Sequence, residues 1–492
     1  MSPDHLLVAP VVIPLAAGAA LVAWRGASLR AQARVGAASV AALLAVAAVL
    51  ALRADGGEVG AYLLGNWPQP FGIAFALDRL SALMVLLVAL LGAASLAHAS
   101  AHWEGRGVHF HALFQFQLAG LNGAFLTADL FNLFVFFEVL LIASYGLLLH
   151  APHPRRTRAA FHYVAVNLAG SALFLVAVGV LYGVAGTLSL ADLAVRIAQL
   201  PGEEAQLARA AGGVLLAVFL LKAAALPLAF WLPGTYGAAV PPVAALFAIM
   251  TKVGIYAIVR VFATAFGPHA GEAAFLAEPW ALPLGLATLA AGAMGALAAR
   301  EFASMAAWLV IASAGTLLGA FGLGSTGALA AGLFYLVHAT LAAAALFLLT
   351  EAAGSRPAPW AAGLFGLVAV AAAGLPPLAG FGAKVQLLEA AGAGRPVFWA
   401  VLLAASFVTM VALARMASRL FWKDESARCV PEGGRAGLAP VAGLAIAIVA
   451  LAVAAGPVQR YTAAAAAQVR EPGPYIERLL GGRPVRAEWG LR

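Results

Sequence analysis

Three of the four lysines in this 492-residue chain lie inside apolar stretches. Lys222 stands in GGVLLAVFLLKAAALPLAFWLPG, Lys252 in PVAALFAIMTKVGIYAIV, and Lys384 in GLPPLAGFGAKVQLLEAA. The other 25 of the 29 basic residues (29 minus 4) are arginines, and most fall between the apolar runs. Arginine is effectively always protonated, whereas a lysine taken out of water can release its proton near neutrality. An Ala/Gly/Arg-rich codon bias explains why lysines are few, but not why the survivors stand in hydrocarbon. Their placement points to groups that must titrate. Glu138 joins them at the centre of LFNLFVFFEVLLIASYGLLL. Ionisable groups inside a membrane are costly and by default mark ion or proton pathways.

Glu138 sits among Phe131, Leu133, Phe134, Phe136 and Phe137, far from any loop. A lysine on a neighbouring span stabilises its charged form, and Lys222 is the natural partner in the same half of the chain. Protonating the carboxylate would then cost Lys222 its counter-ion and drive the lysine proton onward. The alternative is a static ion pair that fixes helix packing. Lys252 is central in its own span, and His338, in GLFYLVHATLAAAALFLL, titrates nearest neutrality. A lone histidine on an apolar helix also serves as a hydrogen-bonded packing residue. Taken in order, Glu138, Lys222, Lys252, His338 and Lys384 make a candidate proton relay along the membrane plane, wetted by bound water. Asp78 and Arg79 are expected to pair locally or at an interface, Asp129 and Asn132 to cap a helix, and Glu389 to face headgroups. The loop acids Asp55, Glu58, Glu203, Glu204, Glu272 and Glu278 read as solvated.

The elements that must position these groups are membrane helices. The chain is 63% hydrophobic and 10% charged, with mean hydropathy +0.95, against about a quarter charged residues in soluble domains. Apolar runs of about twenty residues recur from end to end and predict an all-α polytopic membrane protein of about fourteen spans: 5–24, 35–52, 75–98, 108–127, 130–150, 159–184, 210–232, 239–264, 279–299, 303–322, 327–350, 361–391, 396–421 and 436–456. The start, MSPDHLLVAPVVIPL, lacks a basic leader region, so the first span reads as retained. With the N-terminus outside, inner loops carry Arg25, Arg30, Arg34, Arg106, Arg155, Arg156, Arg158, Arg300, Arg356, Arg415, Arg419, Lys423, Arg428 and Arg435. Outer loops carry Arg53, Arg79, Arg196, Arg209, Arg260 and Arg395, leaving aside the C-terminal tail. Fourteen against six follows the positive-inside rule and predicts both termini outside the cytoplasm.

Spans 7 and 12 are interrupted. Pro227 and Pro233 follow Lys222, and Gly374, Pro376 and Pro377 precede Lys384. Proline breaks the helical ladder, which a membrane tolerates only where protein or water satisfies the freed groups. Spans five apart run in opposite directions, so a lysine before one break and after the other fits an inverted repeat. Discontinuous helices in matching places of two halves point to a transport site. A net charge of +8 reflects loop arginines and does not suggest nucleic-acid binding. The single Cys429 excludes an intramolecular disulfide and a cysteine-built metal site. No phosphate loop, dinucleotide fingerprint, Cys/His metal cluster or nucleophile motif is present, so no cofactor is expected.

At these residues the chain resembles the antiporter-like subunits shared by Mrp-type cation/proton antiporters and respiratory complex I. The resemblance runs through GNWPQPFGIAFALDRLSALMVLL (65–87), DLFNLFVFFEVLLIASYGLLL (129–149), LLKAAALPLAFWLPGTYGAAVPPVAALFAIMTKVGIYAIVR (220–260) and GLPPLAGFGAKVQLLEAA (374–391). GNWP, FNLFVFFEV and the tail PGPYIERLL (472–480) resemble the D-type subunit of the Mrp antiporter in particular. The resemblance implies fourteen helices with two inverted five-helix repeats: 108–264 (spans 4–8) and 279–421 (spans 9–13), flanked by 1–107 and 422–492. It also implies that Glu138 and Lys222 form the family's Glu–Lys pair and that Lys252 and Lys384 are further relay lysines. The implied function is a subunit of a multi-subunit Na⁺(K⁺)/H⁺ antiporter in the bacterial inner membrane. Its partners would be the other antiporter subunits, its cargo protons and Na⁺ or K⁺, and it would carry no redox cofactor. The alternative is a proton-pumping subunit of complex I or a membrane-bound hydrogenase, which the GNWP segment and the tail disfavour. Span 11 departs from many relatives, with Ala339 and Ala343 where they carry an acidic residue and a lysine, so water must help bridge His338 to Lys384.

Overall fold

The computed structural model describes residues 5–351, 359–422 and 436–481. Arg356, Lys423, Arg428, Cys429 and Arg435 lie outside the described residues. The chain opens with α1 (Ala9–Ala23), α2 (Leu29–Asp55), strands β1 (Gly60–Leu63) and β2 (Ala74–Leu77), and α3 (Arg79–His102). Next come α4 (Phe110–Leu126), α5 (Leu130–Leu148), α6 (Pro154–Ala185), α7 (Leu190–Ile197), α8 (Gly202–Lys222), α9 (Trp231–Ala238), α10 (Pro241–Phe247) and α11 (Met250–Thr264). The rest comprises α12 (Glu278–Ala298), α13 (Phe302–Gly322), α14 (Thr326–Leu349), α15 (Pro359–Ala373), α16 (Ala379–Ala391), α17 (Pro396–Trp422), α18 (Ala439–Val453), α19 (Ala455–Arg470) and α20 (Gly473–Leu479).

Each of the fourteen expected spans is occupied by helix, several of them in two pieces. Among the described residues, ten segments are long and apolar enough to cross a membrane, or eleven if the bent α18–α19 pair counts as one. Spans 7 and 12 break where the prolines predicted, as α8/α9 and α15/α16. The α10–α11 and α14 segments are almost wholly enclosed by other helices, so the polar groups they carry must find partners inside the protein.

Three features were not anticipated. Residues 75–77, expected to begin span 3, belong instead to β2, which pairs antiparallel with β1, Gly60 opposite Leu77 and Leu63 opposite Ala74. The apolar AFAL strand runs into an apolar helix, which hid the boundary. The boundary is set by a capping box, in which Asp78 Oδ1 accepts from the Ser81 amide at 2.8 Å and Ser81 Oγ accepts from the Asp78 amide at 2.9 Å. The GNWPQPFG motif is the loop between the strands. Second, the chain turns by 81° between α18 and α19. Pro457 cannot continue the ladder of the preceding helix but fits the first turn of the next one. Third, α7 and α20 pack with β1 and β2 in a small satellite core of Ala74, Ala191, Tyr475, Ile476 and Leu479.

Asp78 does not pair with Arg79. Its carboxylate makes two 2.7 Å contacts with the Arg260 guanidinium of α11, both side chains being buried, while Arg79 donates to the Asp55 carbonyl at 2.6 Å. Arg260 also lies over the rings of Tyr475 and Tyr256, at 4.9 and 5.4 Å. It is therefore no loop charge, and the outer arginines in the orientation count fall from six to five. Loops expected on one face do meet there: Arg155 pairs with Glu301, and Arg415 donates to the Ala299 carbonyl. On the opposite face Arg470 pairs with Glu278, and the Tyr461 hydroxyl donates to the Arg79 carbonyl. Removing one member of a buried ion pair strands the other, at about 3–5 kcal/mol. Asp78→Asn is accordingly expected to lower thermal stability in detergent sharply, while Asp78→Leu combined with Arg260→Met should cost less. Equal losses in the two proteins would rule out the stranded charge as the cause.

Candidate functional site

Glu138 lies at the middle of α5, where its Oε1 accepts a hydrogen bond from Ser171 Oγ of α6. Lys222 is the last residue of α8 and is 5% exposed. Its Nζ donates to Asn167 Oδ1, also on α6, at 3.2 Å and lies 5.7 Å from the centre of the Phe137 ring. Glu138 and Lys222 are not within 4.0 Å of each other as an ion pair. They are brought together through α6, because residues four apart on a helix stack on one face.

The break after Lys222 is held by side chains that satisfy its backbone. Ala224 takes a left-handed φ of +53°, the Trp231 indole N–H donates to the Leu221 carbonyl at 3.0 Å, and the Leu226 amide donates to Thr288 Oγ1 at 2.9 Å. Helix α11 crosses directly against this break at Gly254, where a Cβ would come within 2.5 Å of the Ala223 amide nitrogen. That crossing brings the helix of Lys252 onto the end of the helix of Lys222.

Lys252 is fully buried near the start of α11, just past a short irregularity at 248–249 that separates α10 from α11. Its Nζ donates to Ser313 Oγ of α13 at 2.8 Å and to Thr251 Oγ1 at 3.3 Å. Lys384, in the second turn of α16, donates to the Ala373 carbonyl at 2.7 Å. That carbonyl ends α15, so the ammonium sits at the negative end of a helix dipole. Gly374, at φ +74°, is needed for this approach, because a Cβ there would lie 2.7 Å from Nζ. His338 Nε2 donates to the Ala371 carbonyl at 2.9 Å, which places a proton on Nε2, and among the described residues Nδ1 has no hydrogen-bond partner. His338 and Lys384 thus rest on carbonyls two residues apart at the same helix end. Among the described residues, neither Lys252 nor Lys384 is bonded to a carboxylate; hydroxyls and a carbonyl take that place.

A cavity of about 40 Å³ joins Ser313, the hydroxyl partner of Lys252, to His338 and Lys384. It is lined among others by Ser313, Thr316, His338, Ala343, Lys384 and Thr409. At about 10–15 Å³ per water centre, it has room for three or four waters. The space lies beside Ala339, Ala342 and Ala343, the small residues of α14. Filling it with Ala343→Leu is expected to slow transport by about tenfold, and His338→Ala likewise, the scale of one lost hydrogen-bonded link. Exchange assays in everted vesicles would check this, and unchanged rates in both variants would leave His338 a packing residue.

Five partners were not picked out from sequence: Asn167, Ser171, Thr288, Ser313 and Thr316. Serine, threonine and asparagine are common enough in membrane helices that only contact geometry separates them from packing residues. For Asn167 and Ser171, the i,i+4 spacing on a span beside Glu138 was the available signal. Of the minor candidates, Asp129 caps α5 by accepting from the Asn132 amide at 2.8 Å, and Glu389 is exposed.

Residues 127–410 match the family profile described as NADH:quinone oxidoreductase/Mrp antiporter, transmembrane. The chain is 41% identical to the D-type subunit of a probable K⁺/H⁺ antiporter of Rhizobium meliloti, covering 97% of this chain and 98% of that protein. It is 33% identical to the D-type subunit of the Na⁺/H⁺ antiporter of Alkalihalophilus pseudofirmus, covering 97% and 99%. Its fold superposes on a chain of the Mrp complex from Dietzia sp. with a TM-score of 0.89, at 28% identity over 98% of this chain and 100% of that one.

Proposed function

The chain belongs to the NADH:quinone oxidoreductase/Mrp antiporter family of membrane subunits, and from that premise we propose that it is the D-type subunit of a multi-subunit Na⁺(K⁺)/H⁺ antiporter. In this reading it carries protons through Glu138, Lys222, Lys252, His338 and Lys384, and the complex exchanges cytoplasmic Na⁺ or K⁺ for external protons. The observation that carries it is the seating of buried lysines on hydroxyl, amide and carbonyl oxygens at the breaks of membrane helices. Such seats stabilise an ammonium without locking it to a fixed counter-charge, as proton transfer requires. The match over 97% of the chain to antiporter subunits favours antiport over redox-driven pumping.

Protonating Glu138 removes the negative charge that favours the ammonium of Lys222. The lysine proton then passes toward Lys252, whose partner Ser313 opens onto the cavity, and from there by water to His338 and Lys384. The halves 108–264 and 279–421 act as two inverted repeats around this line, with 1–107 and 422–492 flanking them. The arginine distribution supports both termini outside the cytoplasm, and the likeness to bacterial antiporter subunits supports a bacterial cell (inner) membrane.

The test is co-expression of the whole antiporter complex in a bacterium lacking other antiporters. Everted vesicles energised to acidify their lumen are then given Na⁺ or K⁺. Collapse of the pH gradient in a manner that requires this chain is the expected result. A gradient insensitive to both cations would overturn the antiporter reading.

A further inference from the structure

Helix α6 carries a polar platform that both ends of the Glu138–Lys222 couple touch. Asn167 and Ser171 are buried and lie one turn apart on the same face. The Asn167 amide is not free to rotate, because Nδ2 donates to the Tyr163 carbonyl at 2.9 Å, which turns Oδ1 toward Lys222. Ser171 Oγ holds Glu138. Between them Gly170 leaves the face bare, and a Cβ there would meet Leu221 Cδ2 at 2.7 Å and Lys222 Cε at 3.9 Å. The platform is also tied to the break in the lysine-bearing span. The Tyr163 ring stacks on Trp231 with centroids 5.2 Å apart, and the Trp231 indole caps the Leu221 carbonyl just before Lys222.

We propose that Asn167 is a second seat for the Lys222 ammonium, and that Asn167 and Ser171 are positioning residues that set when Lys222 and Glu138 interact. This rests on the antiporter reading and deepens it. With Lys222 on Asn167, the lysine is held by a neutral acceptor and stands apart from the carboxylate. Moving to Glu138 exchanges that acceptor for a charged one. A four-carbon stem allows this movement by rotamer change alone, and Gly170 keeps the path along α6 clear. A neutral amide suits the role because it holds the ammonium weakly enough to release it. A carboxylate at the same place would trap it in an ion pair.

The experiment uses the full complex in everted vesicles, with the amount of assembled complex measured alongside. Asn167→Leu, similar in size but without the acceptor, and Asn167→Asp, which supplies a fixed counter-charge, are each expected to slow exchange by about tenfold or more, the scale of one hydrogen bond to a charged group. Asn167→Asp combined with Glu138→Gln should exceed Glu138→Gln alone, because the new carboxylate takes over as counter-ion, a rescue that loss of packing cannot produce. Ser171→Ala should slow exchange while Ser171→Thr, which keeps the hydroxyl, retains it. Exchange within twofold of the unaltered complex in both Asn167 single variants overturns the proposal, as does equal loss in the two Ser171 variants. Failure of the unaltered complex to exchange cations for protons would instead overturn the antiporter reading.

Discussion

Replacing either Glu138 or Lys222 by alanine is expected to reduce cation/proton exchange by at least about a hundredfold, the scale of losing a positioned proton donor or acceptor, with the complex still assembled. Glu138 is the carboxylate of this couple, set in mid-membrane among phenylalanines and held by one hydroxyl. Without Lys222 it loses the nearby positive charge that complements the carboxylate. Without Glu138, Lys222 has Asn167 as its hydrogen-bond partner, and nothing in the couple responds to an arriving proton. Glu138→Asp keeps the charge but shortens the side chain by one methylene, drawing it back from Ser171. Partial activity is expected there. The check is cation-induced collapse of the pH gradient in everted vesicles, normalised to assembled complex on native gels. Near-normal exchange in either alanine variant would sink the pair as the entry to the pathway.

The spans, the breaks at Pro227 and Pro376–Pro377, and the ionisable residues in hydrocarbon were legible because each rests on a strong local signal. A twenty-residue apolar run, a proline in a membrane helix and a charge without a loop all stand out from their neighbours. Features that depend on two distant segments meeting were not legible. Arg260 reads as an outer-loop charge until the fold brings α11 to the N-terminus of α3, where it meets Asp78. The direct Glu138–Lys222 pair expected from their shared half is instead mediated by α6, because Asn167 and Ser171 look like ordinary packing residues in a line of sequence. The run of alanines around Ala343 was visible, but not that the space beside it opens between Ser313 and Lys384. The strand at 74–77 was masked by its own hydrophobicity, although Asp78 and Ser81 spell out a helix start.

Arginine in place of lysine at a relay position is expected to impair transport about as severely as alanine does, and Lys384 is the cleanest place to show it. Lys252 is fully enclosed, with its ammonium fitted between Ser313 and Thr251, so a guanidinium there forces repacking as well as a change of chemistry. Lys384 adjoins the cavity of about 40 Å³, and the carbonyl of Ala373 accepts from a guanidinium as readily as from an ammonium. Lys384→Arg therefore preserves the charge, the hydrogen bond and most of the fit. What it removes is the ability to give up a proton, since arginine stays protonated under all physiological conditions. If the residue must alternate between charged and neutral forms, exchange falls by about a hundredfold or more, and Lys384→Arg and Lys384→Ala agree within about twofold. Rates are compared in everted vesicles carrying equal amounts of complex. If Lys222→Arg and Lys384→Arg both transport normally, these lysines act as fixed charges. Their survival in a chain that otherwise uses arginine then has no connection with proton release.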